Sequence, residues 1–155
     1  MLSTFVGADS AAFERQCHAM GLRDRCRTLA PALDESTLER VGAPAAAGLF
    51  AVSGYFEDMA TDGNHDLLSR YRAAFGKWAP RLSTLTEANY EAAWIWAIAA
   101  SRAGVDNPRR IALEMRRGQF DVPRGRVSLN RSAGRPQPLY VAEAVGASFA
   151  VGEPH

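Results

Sequence analysis

Cysteine, histidine and lysine are scarce in this sequence of 155 residues: two cysteines, three histidines and one lysine, Lys77. Cys17 and Cys26 form no CxxC pair and have no histidine cluster beside them. Two such residues neither define a disulfide framework nor make a zinc site, so no metal is expected. They read as two reduced, small hydrophobic side chains, with a Cys17–Cys26 bridge left open for an exported chain. His18, His65 and His155 are scattered and read as solvated polar residues rather than ligands or bases.

Long apolar runs are also missing. The longest, Ala92 to Ala100, has nine residues, about half of the ~20 needed to cross a bilayer. The first residues, Met1 to Asp9, carry no basic segment and only a brief apolar stretch. That is not a secretory signal, so the product as written is expected in the cytoplasm. Charge of one sign is absent too: 18 Lys plus Arg face 17 Asp plus Glu, a net +1. No global field recruits nucleic acid or an acidic membrane. There is no G-x-S-x-G elbow, no G-x-G-x-x-G and no P-loop, only isolated glycines. Hence no catalytic residue and no nucleotide or other cofactor is expected. The adjacent carboxylates Asp34-Glu35 and Glu57-Asp58 diverge on any regular element and read as solvated loop charge.

What is present is an ordinary globular balance, 47% apolar and 23% charged, enough for one domain with a core. Leu2 to Val6 reads as a buried strand. Asp9 or Ser10 then caps a helix with Ala12, Phe13, Cys17 and Met20 on its inner face, closed by Gly21. Arg27–Ala30 is a second strand, and Asp34–Val41 a helix with Ser36 as its cap and Gly42 as its stop. Gly48–Phe56 is a third strand. Strand, helix, strand, helix, strand with links this short means parallel strands and right-handed crossovers.

The middle third is helical. Asp62–Phe75 places Leu67, Leu68, Tyr71 and Phe75 on one stripe. A second helix opens on the capping box Thr84-Leu-Thr-Glu87 and runs to Gly104. It is apolar nearly all round, through Tyr90, Trp94, Ile95, Trp96 and Ile98, so it needs burial on more than one side. Asn107-Pro108 caps a third helix, Arg109–Arg117, stopped by Gly118. The last third changes period: Arg126–Asn130, Leu139–Glu143 and Phe149–Val151 read as antiparallel strands, with Pro136 and Pro138 at the entry to the second.

One local excess stands out. Nine arginines lie between Arg102 and Arg135 against three acids, a net +6 over 34 residues. A phosphate-binding stripe would look like this, and a small Arg-rich interaction or nucleic-acid-binding protein is the alternative reading. Only Phe120 is available among them to stack on bases.

In their order, these segments resemble the C-terminal portion of type 1 periplasmic ligand-binding proteins, the branch that binds short amides, urea or branched-chain amino acids. The stretches that carry the resemblance are Phe5-Val-Gly7 with Ala11-Ala-Phe13 and Met20-Gly-Leu22, then Ala46-Ala-Gly48 through Gly54-Tyr-Phe56. Asn64 to Tyr71 with Ala74-Phe-Gly76 follows, then Ala88-Asn-Tyr-Glu-Ala92 with Trp96 and Ala103-Gly104. Phe120-Asp-Val-Pro-Arg-Gly125 with Val127, and Pro138 to Glu143 with Phe149-Ala-Val151, complete the series. Nearly the whole chain is covered in order, although family members are more than twice as long.

The resemblance implies an α/β fold: a Rossmann-like three-layer parallel sheet with an inserted helical segment and C-terminal antiparallel strands. It divides the chain into a C-terminal-lobe remnant, 1–53 and 124–155, and a hinge plus helices of the N-terminal lobe, 54–123. It implies binding rather than catalysis, with a small amide, urea or amino acid held in an interlobe cleft. The cleft-facing positions it marks are Gly7, Ala8 and Asp9, then Leu33 and Asp34, and finally Tyr55. Its implied partners are an ABC permease or a regulatory protein, and either the missing N-terminal lobe or a second copy against the Trp94/Trp96 helix; nucleic acid is not among them.

Overall fold

The computed structural model describes residues 1–130 and 138–154. The chain falls into two units, one of Met1–Met59, Pro80–Thr84 and Pro138–His155, the other of Ala60–Ala79 and Leu85–Gln137. In chain order the elements of the first half are α1 (Gly7–Ala19), β1 (Thr28–Leu29), α2 (Glu35–Val41), α3 (Ala43–Ala46) and β2 (Leu49–Ser53). Then come α4 (Asp62–Phe75), α5 (Thr84–Ala103), α6 (Pro108–Arg117), β3 (Gln119–Val122), β4 (Gly125–Ser128), β5 (Tyr140–Val145) and β6 (Ser148–Pro154).

The first unit is built on a sheet in the order β1-β2-β5-β6. β1 and β2 are parallel, joined through α2 and α3, with Thr28 opposite Leu49. β5 runs antiparallel to β2, with Ser53 opposite Tyr140, and β6 antiparallel to β5. The α/β class therefore holds, in a mixed sheet: helices between strands make the parallel pair, and a tight turn makes the antiparallel one. Gly146, at φ +64, supplies the left-handed residue of that turn. Ala142 and Ala144 of β5 point inward while Val141, Glu143 and Val145 are exposed, the alternation of a half-buried strand. Leu38, Leu49, Ala51, Phe56 and Phe149 lie in this core, with the Phe56 and Phe149 rings 4.8 Å apart.

Leu2–Val6 is not a buried strand: only a single parallel bridge, Leu2 to Leu29, forms, and Phe5 and Val6 are 47% and 67% exposed. α1 begins at Gly7, with Val6 as an N-cap that offers no side-chain bond. Its inner row is Ser10, Ala11, Glu14 and Cys17 rather than Ala12, Phe13, Cys17 and Met20. Glu14 can turn inward because Arg23, donating to it and to Thr28, neutralises it there. Asp34, not Ser36, caps α2: its Oδ1 accepts from the Thr37 amide at 2.8 Å. The third strand stops at Ser53, before Tyr55 and Phe56.

In the second unit, α4 is capped by Thr61 and α6 by Asn107, the latter as expected, accepting from the Arg109 and Arg110 amides. β3 and β4 form a hairpin, with Phe120 opposite Val127. Phe120, Val122 and Val127 pack with Ile95, Ala99 and Ile111 into one small core. Gly118 is required beside it, since a Cβ there would sit 2.6 Å from the Phe120 ring. α4 buries Asn64 and Leu67 but leaves Phe75 exposed, so the expected stripe is only partly used. Pro136 and the arginines at 131 and 135 lie outside the described residues.

The expected capping box of α5 does not form. Thr84 Oγ1 instead donates to the Tyr55 carbonyl at 2.8 Å and lies 2.6 Å from Ser53 Oγ. Glu87 turns into the second unit, where neither carboxyl oxygen has a hydrogen-bond partner.

Candidate functional site

The residues marked from sequence all belong to the first unit. They follow three chain segments that run parallel and side by side: the Met1–Ser3 edge, β1 and β2. The segments after them, the α1 start at Gly7–Asp9 and the loops at Leu33–Asp34 and Tyr55, therefore leave the carboxyl end of the sheet in the same sense, the usual place for a ligand in an open α/β sheet.

Those residues differ in what they can offer. Gly7 opens α1 at φ +59, and Ala8 and Asp9 are exposed on its first turn. That turn carries no side-chain cap, and the first amides of a helix lack intrahelical partners. Ser10, one residue on, is fully buried, and its hydroxyl has no partner. Asp34 is half-buried and committed to α2, accepting from Thr37 N and, at 3.0 Å, from Ser36 Oγ. Leu33 and Tyr55 are buried in the core. Of the marked set, only the first turn of α1 presents both open surface and free donors.

Charge that sequence reading assigned to solvent lies inside instead. Glu35 and Glu57 are buried, although both belong to adjacent carboxylate pairs. Arg81 collects these groups: it donates to Glu57, to Asp58 Oδ2 at 2.7 Å and to the Ala147 carbonyl at 2.6 Å. Glu57 Oε1 also accepts from the Leu82 amide at 3.3 Å, and Asp58 Oδ2 from Phe149 N at 2.9 Å. Glu35 Oε1 accepts from the Glu57 amide at 2.8 Å, while its other oxygen has no partner. Burial pushes the Glu35 carboxyl up to about 7, against the Glu57 amide, its own amide and Arg81, which favour the ionised form, and with a smaller push from Asp34. No local sequence signal announces this cluster, because Arg81 lies more than twenty positions from the acids it pairs with.

The second unit holds a comparable group. Glu87 and Glu91, one turn apart on α5, are both buried, and Arg124 reaches Glu91 Oε2 at 2.7 Å but not Glu87. Burial, reinforced by the Glu91 carboxylate, raises Glu87 far above the ordinary carboxylate range. A surface groove of about 180 Å³ lies elsewhere on this unit, lined by Asp66, Arg70, Tyr90 and Trp94 among others. Its guanidinium is already engaged, with Asp66 and the Tyr90 hydroxyl each 3.0 Å away.

Three arginines of the excess are engaged within the unit. Arg124 pairs with Glu91, Arg126 with Asp121, and Arg102 lies over the Phe120 ring. Among the described residues no group of three or more His, Cys, Asp or Glu could hold a metal ion. Nor is any helix of the described residues long and apolar enough to cross a membrane.

Three comparisons bear on this geometry. A family model described as "Periplasmic binding protein" matches residues 1–148. No curated protein matches the sequence. Among solved structures, the chain is similar to an ABC-transporter solute-binding protein of R. palustris in complex with benzoate, at 21% identity and a TM-score of 0.81. That match covers 99% of this chain and 42% of the other. It is also similar to LivJ, the branched-chain amino acid transporter substrate-binding protein of Streptococcus pneumoniae, in complex with isoleucine (16%, TM-score 0.82, 99% and 43% covered). The leucine-binding protein LivK of Thermotoga maritima is a third (20%, TM-score 0.79, 99% and 43% covered). The chain thus spans less than half the length of the structures it matches.

Proposed function

The chain belongs to the periplasmic binding protein family, and from that premise we propose that it forms part of a solute-binding component of an ABC-type uptake system. The observation that carries this reading is the family match over residues 1–148, joined to an uncapped helix start at the carboxyl end of the first unit's sheet. The ligand class we propose is a small organic carboxylate, an amino acid or an aromatic acid. Isoleucine and benzoate, the ligands named for two of the similar structures, share that group. An uncapped helix start favours it, because its amides and dipole attract negative charge. The short amides and urea that the resemblance first pointed to lack the charge this feature rewards. Gly7, Ala8 and Asp9 are the contacts in this proposal, with Asp34 holding the neighbouring loop and Leu33 and Tyr55 supporting from the core.

The same reading assigns partners and place. The remaining part of the fold, in the similar structures more than half of their length, would cover the open sides of α5; the permease would receive the loaded protein. The periplasm is the compartment we assign, as the family's description has it. The two lobes of the expected division would then be represented by the two units.

An NMR titration tests the ligand class. Leucine or benzoate should shift the amides of Gly7 to Ser10 first, and urea should leave them unchanged. If neither carboxylate moves these amides at millimolar concentration, the proposed contacts are wrong; if urea moves them equally, the ligand class is.

A further inference from the structure

The chain leaves the first unit after Met59, re-enters at Pro80, leaves again after Thr84 and returns at Pro138. The two short segments beside three of these crossings, Tyr55–Met59 and Pro80–Thr84, contain no helix or strand before α5 begins. They are held by polar contacts: Thr84 Oγ1 to the Tyr55 carbonyl, Leu82 N to Glu57 Oε1, and Arg81 to both Glu57 and Asp58. The β5–β6 turn is drawn in through the Ala147 carbonyl and the Phe149 amide. Glu35 lies beneath this knot, fully buried on α2, and one of its oxygens holds the Glu57 amide.

We propose that Glu35 is a proton-operated latch, whose neutral form holds the crossing segments of the first unit firmly and whose ionised form loosens them.

The charge count supports it. Glu35, Glu57 and Asp58 gather around one guanidinium, Arg81, so three ionised carboxylates would leave the knot with a net charge of −2. Asp34 adds a further negative charge from the start of α2, and the β5–β6 turn contributes only a backbone carbonyl and an amide. Arg81 already divides its donors between Glu57, Asp58 and Ala147. A second buried charge beside Glu57 is therefore poorly compensated. Burial places the Glu35 carboxyl near 7 rather than its ordinary 4.5. A folded-state value above the unfolded one means that stability is complete at acidic pH and is lost as pH rises through about 7. The latch is thus fully closed below about pH 4.5, loosens as pH rises towards 7 and stays loosened above it. Ligand retention would follow proton concentration in the same sense; that consequence rests on the solute-binding reading, whereas the latch itself does not.

The test uses the full chain without ligand. Carboxyl ¹³C NMR follows the ionisation of Glu35, and amide hydrogen exchange follows opening at Glu57 and Leu82. The expected result is a Glu35 titration near 7, with the intrinsic-corrected opening constant of these amides rising up to about tenfold per pH unit, the slope for one proton, between the ordinary 4.5 and about 7, and levelling off above it. Glu35→Gln should make their opening independent of pH over the same range, while the Ile95 amide in the second unit behaves alike in both proteins. A Glu35 titration in the ordinary carboxylate range overturns the proposal, as does an identical pH dependence in wild type and Glu35→Gln. Should Glu35→Gln fail to fold, the wild-type titration and exchange decide alone: opening that does not track Glu35 ionisation refutes the latch. A protein that shows the latch yet binds no carboxylate would refute only the solute reading.

Discussion

In the first unit the large aromatic side chains Tyr55, Phe56 and Phe149 are buried, and Arg81 and Arg23 reach the carboxylates of Glu57 and Glu14 inside it. The second unit buries Phe120 but leaves Phe75, Trp78, Trp94 and Trp96 in contact with solvent. Only the Glu87, Glu91, Ile95 and Ala99 row of α5 is covered, although apolar residues surround most of the helix. A unit that presents tryptophans along a helix has apolar area still to bury. The difference separates a unit whose Tyr55, Phe56 and Phe149 lie inside its core from one whose tryptophans face solvent.

The largest effect that could break this comparison is expected at Arg81. Arg81→Ala strips the neutralising charge from buried Glu57 and from Asp58, and losing one partner of a buried pair costs about 3–5 kcal/mol. Urea unfolding of the first unit should show it; a loss under about 1 kcal/mol, the range of exposed pairs, would mean that the charges inside the unit are not its support.

A smaller effect is expected in the second unit. The folded Glu87 lies above its unfolded value, so the stability it confers is present at low pH and lost as pH rises through about 9. Glu87→Gln keeps the shape and removes the titration, so it should flatten this decline, which begins above the ordinary 4.5 and runs through neutral pH. An unchanged decline, followed by thermal unfolding, would show that the two buried carboxyls do not share the unit's weak point.

The smallest change in stability is expected at the tryptophans. Trp96 is 55% exposed, so Trp96→Ser should alter folding free energy by no more than about 0.5 kcal/mol, as surface substitutions do. Its effect should appear in sedimentation, where the parent chain self-associates and the variant does so less. A parent chain that is monomeric, with indoles shielded from an aqueous quencher, would remove the contrast between the units.

Much of the fold was legible because its signals are local. The glycine stop at Gly42, the Asn107-Pro108 cap and the alternation through Ala142 and Ala144 depend on residues within a few positions of one another. Gly7–Asp9 reads as a loop before a helix capped at Asp9 or Ser10, whereas the helix starts at Gly7. What could not be read was the commitment of charge. Glu14 lies nine positions from Arg23, Glu57 lies 24 from Arg81, and Glu91 lies 33 from Arg124. None of these separations is a helical or strand period, so no local pattern announces that these acids turn inward onto an arginine. The Thr84–Glu87 capping box failed because Thr84 already lies in the helix and Glu87 is buried rather than turned back to the helix start, while the threonine hydroxyl donates to the Tyr55 carbonyl.

The amino-acid order by itself determined the α/β alternation, the helix stops and the family resemblance, since each follows from steric and hydrophobic patterns that neighbouring residues impose on the backbone. Only the tertiary structure decided which carboxylates are buried, that Arg81 ties the crossing segments together, and that Trp94 and Trp96 remain open. Those outcomes depend on desolvation, and whether a charge or an indole keeps its water is set by what the folded chain places over it.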